Sequence, residues 1–168
     1  MQVFTLKKIA ALTALALSTS TFAMDVTFND KTWDADHIPE GQQCLDYGGK
    51  SPATPSMTVS NIPDGADSIV FVYNDVSNKR MQKGGHGIVS YALSEGKTSV
   101  EVPRVFGHTY EVPVGVEMVA EYRSRKGDVR GAYKPPCSGG NDHLYTIDVQ
   151  SWQGDMMTAE TTIEMGRY

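Results

Sequence analysis

A histidine and a tyrosine two positions apart, His143 and Tyr145, open an alternating segment. Ile147 and Val149 continue their face while Leu144, Thr146 and Asp148 take the other. On a strand this spacing sets a titratable imidazole beside a phenol. The segment follows Lys134-Pro-Pro-Cys-Ser-Gly-Gly-Asn-Asp142. Pro135 and Pro136 fix φ and lack N–H donors, and Ser138 to Asp142 are turn formers. A stiff, tightly turned loop thus delivers His143 to a strand end, where rigid scaffolds present their chemistry. A second pair lies upstream: Asp75 closes the run Ser68-Ile-Val-Phe-Val-Tyr-Asn-Asp, and His86 precedes Gly87-Ile-Val-Ser-Tyr-Ala-Leu93. The basic, glycine-rich loop from Lys79 to Gly85 separates them. Asp75 and His86 would end two consecutive strands of a hairpin with a site at its mouth, although a solvated hairpin tip has the same composition.

The elements that must position these residues read as short strands. Ser68 to Tyr73 is an unbroken β-rich run, expected to be buried on both faces at the centre of a sheet. Met24–Phe28, Met57–Val59, Thr98–Val102 and Thr158–Met165 are further strand segments, with turns at Pro63-Asp-Gly65 and Ser94-Glu-Gly-Lys97. Between Tyr110 and Tyr122 helix and strand compete, and strand is preferred. Arg123, Arg125, Lys126 and Arg130 surround Gly127-Asp128 and read as a solvated basic turn. The pattern predicts an all-β fold, a two-sheet antiparallel β-sandwich with Greek-key-like connections and short helical turns in its loops.

The N-terminus carries Lys7 and Lys8, then an apolar run from Ile9 to Leu17, then Thr21-Phe-Ala23. This is the pattern of a signal peptide over residues 1–23, cleaved near Ala23, and the run is too short to span a bilayer. A single domain over 24–168, periplasmic or secreted and without a transmembrane segment, is expected. Without Lys7 and Lys8 the 15 basic residues become 13 against 20 acidic ones, and the formal net charge moves from −5 to −7. Bulk nucleic-acid binding is thereby disfavoured, while a local basic patch can still hold a phosphate. Cys44 and Cys137 are the two cysteines. In an oxidising compartment a bridge is the default; two buried thiols and, less readily, metal ligation remain alternatives.

Three stretches, in order, resemble the phosphatidylethanolamine-binding protein family in its bacterial Raf-kinase-inhibitor-like branch. Cys44-Leu-Asp46, Ser51-Pro-Ala53 and Asn61-Ile-Pro-Asp-Gly65 resemble that branch's opening signature. Ser68 to Leu93 resembles the first family motif, a hydrophobic strand, an Asp-Pro-Asp loop and a histidine opening the next strand. Gly131-Ala-Tyr-Lys-Pro-Pro-Cys137 through His143-Leu-Tyr145 resembles the second. Here Asn74-Asp75-Val76 stands for Asp-Pro-Asp, and Leu144 for the arginine of His-Arg-Tyr. The resemblance implies a small anion pocket lined by Asp75, His86, Pro136, His143 and Tyr145, with the cysteines at the family's loop positions. Imidazolium N–H, a phenolic O–H and turn N–H groups would hold a phosphate or carboxylate, and the aspartate would fix one imidazole's tautomer. Lys134 could add charge at the rim. His37 and His108 lie outside the motifs and read as surface residues.

The leading expectation is an exported binding protein for a phosphate or phospholipid-head-group-like anion. The alternative is a secreted inhibitor or modulator of a protease, kinase or host signalling protein. An enzyme ranks last because no nucleophile elbow, HExxH or P-loop is present. No cofactor, metal or catalytic residue is implied, and homo-oligomerisation is left open.

Overall fold

The computed structural model describes residues 23–123 and 129–168. Residues 1–22 of the leader expected over 1–23, and the Arg125, Lys126, Gly127 and Asp128 portion of the basic cluster, lie outside the described residues. Eight strands follow in order among them: β1 Asp25–Phe28, β2 Met57–Ser60, β3 Ser68–Asp75, β4 Ile88–Ala92, β5 Ser99–Val102, β6 Val116–Ala120, β7 Leu144–Gln153 and β8 Met156–Arg167. A 3-10 turn at Leu45–Tyr47 is the helical element among the described residues. The strands form a three-stranded sheet in the order β1-β2-β5 and a five-stranded sheet in the order β6-β4-β3-β7-β8. Every pairing between these strands is antiparallel. The expected two-sheet, all-β architecture is what the chain adopts. It crosses between sheets after β2, β4 and β5, so several neighbours in space, such as β2 and β5 or β3 and β7, are not neighbours in sequence.

One hydrophobic core joins the sheets. Met57, Val59 and Val102 come from the smaller sheet, and Ile69, Phe71, Val89, Ile147 and Val149 from the larger. β3 is the central strand of the larger sheet, as its composition predicts, but it is not buried on both faces. Ile69, Phe71 and Tyr73 are buried, whereas Ser68, Val70 and Val72 are half-covered. The reason is the antiparallel topology, which packs one face on the core and leaves the other to solvent. Of the segment from Tyr110 to Tyr122, only Val116–Ala120 forms a strand. Pro113 and Gly115 hold the earlier part in turns, with Val116 N–H bonded to Pro113 C=O.

Two features of the larger sheet shape the end at which β3 stops and β4 and β7 begin. The register shifts between Ile88 and Val89 on the β4–β6 pair and between Tyr145 and Thr146 on the β7–β8 pair. Such bulges bend a strand and re-aim its side chains. Gly87, at φ +111, is the second feature. A Cβ there would stand 2.0 Å from the Ala132 carbonyl oxygen, so the absence of a side chain lets the Gly131–Lys134 backbone lie against the hairpin.

Candidate functional site

A cavity of about 370 Å³ opens at that end of the sheet, lined among others by Asp75, His86, Lys134, Ser138, His143 and Tyr145. Each element delivers its side chain for a local reason. Asp75 is the last residue of β3, cross-strand from Tyr145 of β7. His86 stands two residues before β4 and continues its pairing with β3, its N–H donating to the Tyr73 carbonyl at 3.1 Å. His143, just before β7, is pinned by reciprocal backbone bonds with Tyr168 at 2.9 and 3.1 Å. The two histidines, 57 positions apart in sequence, therefore line one cavity in one sheet.

The polar geometry is specific. Asp75 is buried, and its Oδ2 lies 2.7 Å from His143 Nδ1, while Oδ1 accepts the Ser77 N–H at 3.0 Å. Facing a carboxylate, His143 Nδ1 must carry its proton. His86 Nδ1 lies 2.7 Å from the Lys134 carbonyl oxygen, which can only accept, so this Nδ1 is also protonated. His86 is 2% exposed. Desolvation pushes its pKa down to about 4, against the opposing pull of the Lys134 carbonyl and Asp75. His86 is accordingly neutral at ordinary pH and not the imidazolium donor that the family resemblance implies. Tyr145 packs edge-on against the His86 ring at 5.2 Å between centroids. Its oxygen accepts the Cys137 N–H at 3.1 Å, and burial lifts the phenol to about 12, so it enters chemistry as a neutral hydroxyl.

Pro136 is buried and stands outside the cavity lining. Its carbonyl accepts the Cys44 N–H at 2.8 Å, so it braces the wall from behind. Beside it Cys44 and Cys137 are bridged, with an S–S distance of 2.10 Å. The bridge ties the turn carrying Asp46 and Tyr47, both lining residues, to the loop that carries Ser138. Because both cysteines are consumed, the cluster they make with Asp46 offers no thiolates to a metal.

No family model matches the sequence, and neither does any curated protein. Among solved structures the chain is similar to a crystal structure described as a phosphatidylethanolamine-binding protein homologue from Chlamydia trachomatis. The TM-score is 0.54 and the identity 19%, with 88% of this chain and 98% of that one covered. The fold is phosphatidylethanolamine-binding-protein-like.

Within this PEBP-like frame, sequence reasoning missed several cavity residues. Asp46, Tyr47, Asn78, Arg80, Met81 and Arg123 all line it. Arg123 is not a member of a merely solvated turn. Its Nη1 donates to the carbonyls of Arg80 and Gln82 at 2.7 and 2.8 Å and its Nη2 to that of Lys83 at 3.1 Å, while its backbone N–H reaches Gly85 C=O at 2.9 Å. It gathers the β3–β4 loop around itself, and its position three residues after β6, at the head of a basic run, was the available signal. Lys134 does reach the cavity, with Nζ also 5.7 Å from the Tyr122 ring centroid. Leu144 is half-buried, pairs across to Arg167 and stays out of the lining. His37 is exposed as expected. His108 is not a plain surface residue: it is half-buried, with Nδ1 3.4 Å from the Tyr122 hydroxyl.

Proposed function

We propose that this chain is an exported binding protein whose cavity takes a phosphate or phospholipid-head-group-like anion, and that it is not an enzyme. The observation that carries the reading is the Asp75–His143 pair at 2.7 Å, set in one cavity with His86, Tyr145 and the cationic side chains of Arg80, Arg123 and Lys134. A small oxyanion entering there meets positive charge from the rim and hydrogen-bonding groups from the floor. Binding without turnover is favoured by the cavity's serine, since Ser138 Oγ donates to the Tyr168 carbonyl and is not presented to an imidazole as a nucleophile would be. Export is supported by the Cys44–Cys137 bridge, which belongs to oxidising compartments. Among the described residues no helix is long and apolar enough to cross a membrane.

Calorimetric titration of the protein with inorganic phosphate tests the reading. Saturable binding is expected, weakened at least about tenfold in His143→Ala, on the scale of losing one charge-assisted contact. Equal affinity in the two proteins would remove the cavity from the proposal.

A further inference from the structure

Both imidazoles have spent the same nitrogen. His86 directs Nδ1–H to the Lys134 carbonyl and His143 directs Nδ1–H to Asp75 Oδ2, each at 2.7 Å. Only Nε2 of either ring remains for a ligand, and in a neutral imidazole that atom is a lone-pair acceptor. Of the two rings, that of His143 is the more exposed. The enclosed His86 ring is different. Asp75, Lys134, His143 and Tyr145 surround it, and its burial disfavours a charged ring. Asp75 adds carboxylate oxygens to the same wall. The cavity therefore opposes cationic side chains at its rim to at least one fixed acceptor on its floor.

An oxyanion without a proton would set its own lone pairs against that acceptor, whereas one that keeps a proton can donate to it. Resting on the anion-binding reading above, we infer that the cavity selects a proton-bearing phosphoryl group, inorganic phosphate or a phosphomonoester, over sulfate and over phosphodiesters, with the ligand's P–OH donating to His86 Nε2. An intact phospholipid is a phosphodiester and falls on the disfavoured side. A site that needs a hydrogen bond from its ligand rejects a look-alike lacking the donor, because the buried acceptor is then left facing oxygen.

Calorimetry at pH 6 on the intact, disulfide-bonded protein with four probes decides the matter: inorganic phosphate, methyl phosphate, dimethyl phosphate and sulfate. Dimethyl phosphate matches the charge of the methyl phosphate monoanion and carries a methyl group where that ion has its proton, so charge is controlled. Phosphate, with or without methyl phosphate, binding at least about tenfold tighter than sulfate and dimethyl phosphate supports the inference. Whether methyl phosphate joins phosphate separates esters from the free ion as the source. Sulfate or dimethyl phosphate binding as tightly as phosphate would overturn the selectivity while leaving an anion site. No binding of any probe would overturn both. Side-chain nitrogen NMR of the phosphate complex adds an independent check: His86 must remain Nδ1-protonated with Nε2 as acceptor, and an Nε2–H or doubly protonated ring would sink the idea.

Discussion

His86 shows how burial changes what a residue can do. The motif puts a histidine at the mouth of a hairpin, and a histidine near phosphate is easily read as a cation. Its pKa falls from 6.5 to about 4, so between those values the unfolded chain binds a proton that the folded chain refuses. Folding stability must then decline as pH drops from about 6.5 toward 4, by about 3 kcal/mol for this group alone, and be fully regained above 6.5. Thermal unfolding of the native protein and His86→Gln across pH 4 to 7 checks this. The glutamine variant is expected to lose that part of the slope, and parallel curves would refute the assignment. Asp75, His86, His143 and Tyr145 were nameable from sequence because motif position and strand alternation fix where they emerge. The protonation of His86 was not, because it depends on the carbonyl of Lys134, 48 positions away, and on exclusion of water. Asn74 stands where the motif has an aspartate. It turns from the cavity, giving Nδ2 to Asp148 at 2.9 Å and accepting the Gly84 N–H at 2.8 Å.

The β3–β4 loop is the element on which the cavity depends most, and two contacts from distant sequence hold it. Gly87 admits the Ala132 carbonyl, with no room for a methyl group and a φ of +111 that favours glycine. Gly87→Ala should therefore destabilise the protein by more than about 2 kcal/mol, read as a fall in the denaturant midpoint; a neutral effect would mean the two segments part freely. Arg123 works from the other side through three guanidinium bonds to loop carbonyls. Arg123→Ala should loosen Arg80 and Met81 in the wall, weakening phosphate binding by about tenfold or more with a smaller loss of global stability, since the loop is peripheral to the core. Amide exchange should speed up in the 78–85 segment of that variant, and unchanged exchange there would argue against a clamp. Strands were legible because alternation and β-branched runs survive in one dimension. The half-open face of β3 and the reach of Arg123 were not, since both follow from which strands become neighbours after the chain has changed sheets.

At the scale of the whole molecule, the Cys44–Cys137 bridge joins an irregular segment before β2 to the loop before β7 across 93 positions. A crosslink of that span removes chain entropy from the unfolded state worth about 4 to 5 kcal/mol, a large fraction of the stability of a typical domain. It also has a local consequence. The turn at Leu45–Tyr47 meets the site loop through the bridge itself and through Cys44 N–H on Pro136 C=O at 2.8 Å, while Leu45 N–H points toward His108 Nε2, in the β5–β6 connection, at 3.5 Å. Tyr47 also sits close over Gly139, where a Cβ would come within 2.9 Å of its ring. The Asp75–His143 pair belongs instead to the five-stranded sheet and does not need the bridge to form. Removing the crosslink with Cys44→Ser and Cys137→Ser should therefore lower the unfolding free energy by up to about 4 to 5 kcal/mol. At temperatures where the fold persists, it should weaken phosphate binding without abolishing it, because one wall swings free while the floor stays. Denaturant unfolding and calorimetry on the same double variant read the two effects separately. Lost stability with untouched affinity would make the bridge a staple only and take Asp46 and Tyr47 out of the site, whereas complete loss of binding in a folded variant would place the decisive contacts on the tethered wall and not on the histidines.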